Sequence, residues 1–280
     1  MTSMNKCKRK EWLVALKAIV PVLSIAYFLY ASRLSVRVFD YFPGDMALVM
    51  NIGFRLGAAL VAILLFYVGL SEVFPHIRES RFKKPSLPQF LIVVGMTVIL
   101  FYVSNLLIYL TFRPEMMPLR NSHMSRKIHC YILVSSVLVA PIFEEVCFRL
   151  IPLSVFRSCI PRVVVMVVCG VVFGYIHHAA DNQMFATVGG FYLGILFLKW
   201  RNPLLCMIAH SVVNLLSSFS SLLAYFSVEV YRSESFPAVS KIPSEITIVM
   251  MILGVAILTS GLYLQTRMKG VKKHGIAKRS

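Results

Sequence analysis

The chain has 280 residues, of which 58% are hydrophobic and only 15% charged, and its mean hydropathy is +0.76. A soluble domain runs about 45–50% apolar and about 25% charged, so this composition excludes a large water-soluble domain. The net charge of +17 does not make a nucleic-acid reader, because the basic residues are scattered over loops rather than gathered on one folded face.

About 162 residues are apolar, and a membrane helix takes roughly 20. Composition therefore predicts an all-α, polytopic integral membrane protein of about eight transmembrane helices. The apolar runs fall at 12–32, 46–70, 89–112, 129–156, 162–178, 184–199, 203–226 and 245–266. The first run follows Lys6, Lys8, Arg9 and Lys10. It is longer than the 7–15 residues of a signal core and lacks a small-x-small cleavage site, so it reads as a retained anchor. Lys17 and Arg55 lie inside apolar runs. They read as snorkelling or paired cations and are assigned no chemistry.

Loop charge orients the chain. With the N-terminus in the cytoplasm, cytoplasmic segments hold eighteen of the 29 Lys and Arg, outer loops eight, and apolar runs three. Both termini are thus expected inside, although the four basic residues of the loop at 113–128 count against it. The basic tail from Arg267 to Arg279 suits anionic lipid. None of the six cysteines forms a CxxC pair, so no disulfide framework or zinc ribbon is expected. No internal repeat or inverted symmetry of the transporter kind is visible.

An ionisable group at bilayer depth is costly and usually faces a cavity or a partner. Of the 12 acidic residues, only Glu144 and Glu145 lie within a long apolar run. On a helix Glu145 and Arg149 share a face and can pair, and the guanidinium can hold that carboxylate in one rotamer. Glu144 is rotated by about 100° and points elsewhere. Pro141 removes a backbone hydrogen bond just before the pair and loosens that turn. The bland alternative is a structural ion pair locking two helices.

The fifth run ends in Phe173-Gly174-Tyr175-Ile176-His177-His178. A lone histidine there is more often interfacial than catalytic, and the sequence leaves open which of the two turns inward. In the seventh run His210 and Asn214 project from one helical face. Buried, they need hydrogen-bond partners, and a polar clamp between helices is the alternative to a catalytic role. Gly170 and Gly174, and again Gly190 and Gly194, have the GxxxG spacing that lets helices approach closely.

In this order, Glu144-Glu145-x-x-x-Arg149, Phe173-x-x-x-His177 and His210-x-x-x-Asn214 resemble the three motifs of the CPBP family. This is the Abi or type II CAAX-protease family of intramembrane endopeptidases. Ala140-Pro141-Ile142-Phe143, the glycine pair and the turn from Lys199 to Pro203 look like the family's too. Leu150 stands where the family often has glycine, and His178 doubles the histidine. The resemblance covers about residues 129–220.

The resemblance implies Glu144 as the base that activates a water for attack on a peptide carbonyl, with His177 helping to hold that water. His210 and Asn214 would stabilise the oxyanion, Glu145 and Arg149 would orient the site, and Phe173 would be a packing neighbour. It also admits zinc on Glu144, His177 and His210, with water in the fourth place, but no HExxH helix is present.

The expected organisation is a three-helix region at 1–128, a catalytic membrane core at 129–220, and a closing helix and tail at 221–280. The expected partners are the lipid bilayer and a membrane-associated peptide or protein substrate, with no nucleic acid. The expected location is multi-pass in a bacterial cell membrane, where relatives of this kind are linked to peptide maturation and bacteriocin self-immunity. A transporter using a Glu/His relay, or a non-enzymatic immunity or scaffold protein, would use the same residues differently.

Overall fold

In the computed structural model, the residues described are 19–20, 22–34, 37, 41–42, 44–68, 82–112, 133–156, 160–177, 180–230 and 244–277. Among them every regular element is helical. They comprise α1 (Val22–Leu34), α2 (Gly44–Ala62, continuing as a π stretch, Ile63–Val68) and α3 (Leu87–Phe112). A rod, α4, follows, built from four consecutive stretches: Ser135–Val139, Ala140–Glu145, Val146–Leu150 and Ile151–Val155. Then come α5 (Arg162–Tyr175), α6 (Ala180–Trp200), α7 (Pro203–Val230) and α8 (Ser244–Ala277).

Each apolar run holds one of these helices, although residues 12–18, 21, 69–70, 129–132 and 178 of those runs lie outside the described residues. Among the described residues three helices are long and apolar enough to cross a membrane: Met46–Leu65, Leu87–Ile108 and Thr247–Met268. Two of the remaining helices differ from these in length or charge. The 14 residues of α5 rise only about 21 Å, less than the roughly 30 Å hydrocarbon core. The rod α4 carries three ionisable residues, Glu144, Glu145 and Arg149. The third spanning helix, α8, continues beyond its apolar window at Met268 to Ala277.

The chain divides into two compact units, Met1–Phe82 with Ser125–Met207, and Lys83–Met124 with Ile208–Ser280. In the first, α1 lies on α2 and α4. Tyr27 donates to the Ala58 carbonyl at 3.0 Å, and Ser24 donates to the Cys147 carbonyl at 3.2 Å. Phe28 meets the rings of Phe143 and Phe148 at 5.0 and 5.1 Å. Helices α5 and α6 form an antiparallel pair. The turn after α6 stops at Arg201, which has a left-handed φ of 47°. Asn202 then caps α7, its Oδ1 accepting from the Leu204 amide at 3.1 Å, with Pro203 as the first helical residue. Burial, then the neighbouring Arg162 charge, lowers the Arg201 pKa. The start of α5 and the end of α6 therefore bring their cations to the same end of the pair.

In the second unit α3 and α8 pack antiparallel through small residues. A Cβ on Gly95 would stand 2.8 Å from the Gly254 carbonyl oxygen, and one on Gly261 2.8 Å from the Ile92 amide. Ser86 and Gln89 form a capping box at the start of α3, with the Gln89 side chain accepting from the Ser86 amide at 3.0 Å. The outer faces of α2 and α8 expose large apolar side chains such as Val49, Leu60, Ile252 and Tyr263. So broad an apolar exterior is that of a protein solvated by lipid.

Candidate active site

The two glutamates sit on α4 between prolines. Pro141 has no amide for the carbonyl four residues back, and its ring crowds that group. That carbonyl belongs to Val137, inside the first π stretch. Pro152 stands in the same relation to Phe148, inside the second. Widening to π geometry relieves both clashes. The Ala140 amide bonds the Ser135 carbonyl and the Ile151 amide bonds the Val146 carbonyl, each five residues back. The turn expected to loosen before the pair is thus the first π stretch, and a second follows under Arg149. Such local π turns are often found at functional sites.

Glu145 and Arg149 form an ion pair, Nη1 donating to Oε1 at 3.0 Å, with both side chains almost wholly buried (0% and 1% exposed). The Arg149 guanidinium lies over the Phe173 ring, 4.1 Å from its centroid. A desolvated cation on a ring face gains about 2 kcal/mol, so Phe173 does more than fill space. It also meets Phe148 edge-on at 5.4 Å and the His177 ring at 4.9 Å.

His177 follows the end of α5 and is half-buried. Its Nδ1 lies 2.7 Å from the Phe173 carbonyl oxygen. A carbonyl can only accept, so Nδ1 carries the proton, and in the neutral ring Nε2 presents a lone pair. One bond therefore fixes both tautomer and orientation. His178 lies outside the described residues.

Glu144 is rotated away from this stack, as the helical spacing predicts. It is half-buried and lines a cavity of about 30 Å³. Phe28, Ala31, Ala58 and Phe143 give the apolar wall, while Ser32 and Arg55 join Glu144 as polar groups. A water needs about 10–15 Å³ of such volume and two to four polar partners, so the cavity has room for about two waters. Arg55, read from the sequence as a snorkelling or paired cation, donates from Nη1 to Ser135 Oγ at 3.4 Å.

His210 and Asn214 lie one turn apart on the part of α7 that belongs to the second unit, with His210 buried. Among the described residues no group of three His, Cys, Asp or Glu is placed to hold a metal ion. Cys147, Cys169 and Cys206 are buried and free, as small hydrophobes are. Cys7, Cys130 and Cys159 lie outside the described residues.

Residues 127–216 match the family model of Rce1-like proteins, described as type II CAAX prenyl endopeptidase. That stretch is similar to the type II CAAX prenyl endopeptidases. It is about a third of the chain and holds all three motifs. No curated protein matches the chain, and no solved structure does.

Within the matched segment, glycines set the contact between α5 and α6. A Cβ on Gly190 would stand 2.9 Å from the Gly170 Cα and 3.4 Å from Arg149 Nη2. A side chain on Gly174 would collide with Thr187, and one on Gly194 with Met166. The α5–α6 contact is therefore backbone against backbone, and Gly190 leaves the space that the guanidinium fills. Gly189, its neighbour, faces nothing within 4 Å. Gly190→Val should destabilise the protein by about 1–3 kcal/mol through overpacking, while Gly189→Ala should leave stability unchanged or slightly raised. Thermal unfolding in detergent separates the two, and equal effects would contradict this packing.

Proposed function

We propose that this protein is an intramembrane endopeptidase that hydrolyses a peptide bond of a membrane-associated peptide or protein. The observation that carries the reading is Glu144, a carboxylate beside a water-sized cavity, on a helix whose adjacent Glu145 is locked by Arg149. A carboxylate with water at hand is a general base, and one fixed by a guanidinium is a scaffold. The matched family of endopeptidases supports the same division of labour.

Glu144 takes a proton from a water as its oxygen bonds to the scissile carbonyl carbon. The carbonyl electrons move to oxygen, where His210 and Asn214 donate to the oxyanion. As the intermediate collapses, the C–N bond breaks and Glu144 returns the proton to the departing amine. Nε2 of His177 accepts a hydrogen bond from the incoming water, in the orientation its Nδ1 bond sets. Residues 129–220 form the catalytic block. The full count of about eight spans, with both ends in the cytoplasm of a bacterial cell, belongs to this reading. So does anionic lipid at the basic tail. Peptide maturation or bacteriocin self-immunity is the cellular role it suits.

The test uses purified protein in proteoliposomes with internally quenched peptides held in the bilayer by a lipid chain. Wild type should cleave. His210→Ala and Asn214→Ala should each lower kcat about 10²–10³-fold, the loss that removing one oxyanion donor brings. Cleavage unaffected by both would remove the oxyanion assignment, and no cleavage by wild type would remove the peptidase reading.

A further inference from the structure

Arg55 stands on α2, outside the Rce1-like segment. Its Nη1 donates to Ser135 Oγ on α4 at 3.4 Å. Its Nε is buried and has no hydrogen-bond partner among the described residues. The same side chain lines the cavity that Glu144 lines, with Ser32 of α1 as the third polar group. A cation within an apolar helix is costly and is normally kept for a partner or a cavity. Among the described residues it bonds Ser135 weakly, and its guanidinium carries five donors in all. The remaining walls, Ala31, Ala58 and Phe143 among them, offer no acceptor of their own side chains.

We propose that Arg55 is a positioning residue for Glu144, acting through water held between them in this cavity. The inference rests on the hydrolase reading above. A water that donates to the Glu144 carboxylate and accepts from Arg55 links the two groups and orients the carboxylate toward the cavity. Each hydrolysis consumes one water, and this site stands next to the base to replace it. The cavity is walled by α1, α2 and α4, so the N-terminal helices contribute directly to the chemistry of the segment that follows them. Arg55 forms no bond with the substrate and changes no oxidation state. Its contribution is orientation and supply.

The experiment compares Arg55→Met, Arg55→Lys, Ala58→Val and Glu144→Gln in the proteoliposome assay with lipid-anchored quenched peptides. Methionine keeps much of the arginine stem and removes the donors. Arg55→Met should lower kcat about 10–100-fold, the scale of a misplaced reacting group, with KM within about twofold of wild type. Lysine should recover most of the loss because it restores a cation and donors at the cavity. Ala58→Val fills the cavity without removing a polar group and should lower kcat to a similar extent. A purely structural Arg55 would give equal losses for methionine and lysine, and that result overturns the proposal. Wild-type kcat in Arg55→Met overturns it as well. If Arg55→Met does not accumulate in the membrane, Ala58→Val decides alone, and wild-type kcat there overturns it. Inactive Glu144→Gln beside fully active Arg55→Met refutes this inference only, while fully active Glu144→Gln refutes the hydrolase reading beneath it.

Discussion

Glu144→Gln should lower kcat about 10²–10⁴-fold, the usual contribution of a positioned general base, while KM and the amount of inserted protein stay near wild type. The amide matches the carboxylate in shape but cannot take a proton from water. Glu144 is half-buried at a cavity wall and outside the ion pair, so its loss leaves the buried pair intact. Single-turnover cleavage, with thermal unfolding of the same samples, checks both halves of this expectation. A variant that lost activity and stability together would point to a structural glutamate instead.

Arg149→Leu should have the opposite signature, a large loss of stability. It strands the buried Glu145 carboxylate, and breaking one side of a buried ion pair costs about 3–5 kcal/mol. Replacing both partners, as Glu145→Leu with Arg149→Met, should recover most of that stability, since an apolar pair of similar volume is often neutral or better. Activity should not return, because the guanidinium orders Phe173, and Phe173 in turn holds His177. Arg149→Lys should fail too. An ammonium does not stack as a plane on a ring, and the slot between Phe173 and Gly190 is shaped for a flat group. Thermal unfolding of the three variants in one detergent reads the stabilities. Full activity in the double variant would contradict the orienting role.

Much of this arrangement was legible because it is local. The spacing of Glu145 and Arg149 announced their pair, and the 100° step separated Glu144 from them. The glycine spacing of α5 and α6 announced a close contact, which Gly170 and Gly190 make backbone to backbone. Other features depend on three-dimensional packing. The cation–π contact of Arg149 with Phe173 joins residues 24 apart in sequence, and nothing in either residue alone signals it. Arg55 reaches the Glu144 cavity from another helix. The two π stretches were half visible, since Pro141 marked the first while Pro152 drew no notice before the second. Apolar count predicted about eight spans, and among the described residues three helices have the full length. A tally of apolar residues sees neither the charge on α4 nor the shortness of α5. The sequence left open which histidine turns toward the site, and the Nδ1 contact of His177 with the Phe173 carbonyl is a feature that no spacing could give.

The central claim is that water, activated at Glu144, ends up in a cleaved peptide. It is tested most directly by running the proteoliposome reaction in ¹⁸O-water and weighing the products. The account predicts a new C-terminal carboxyl group carrying one ¹⁸O atom after a single turnover, and no such product from Glu144→Gln. The same labelled product formed at wild-type rate by Glu144→Gln, or intact peptide in the presence of correctly inserted wild-type protein, would contradict it.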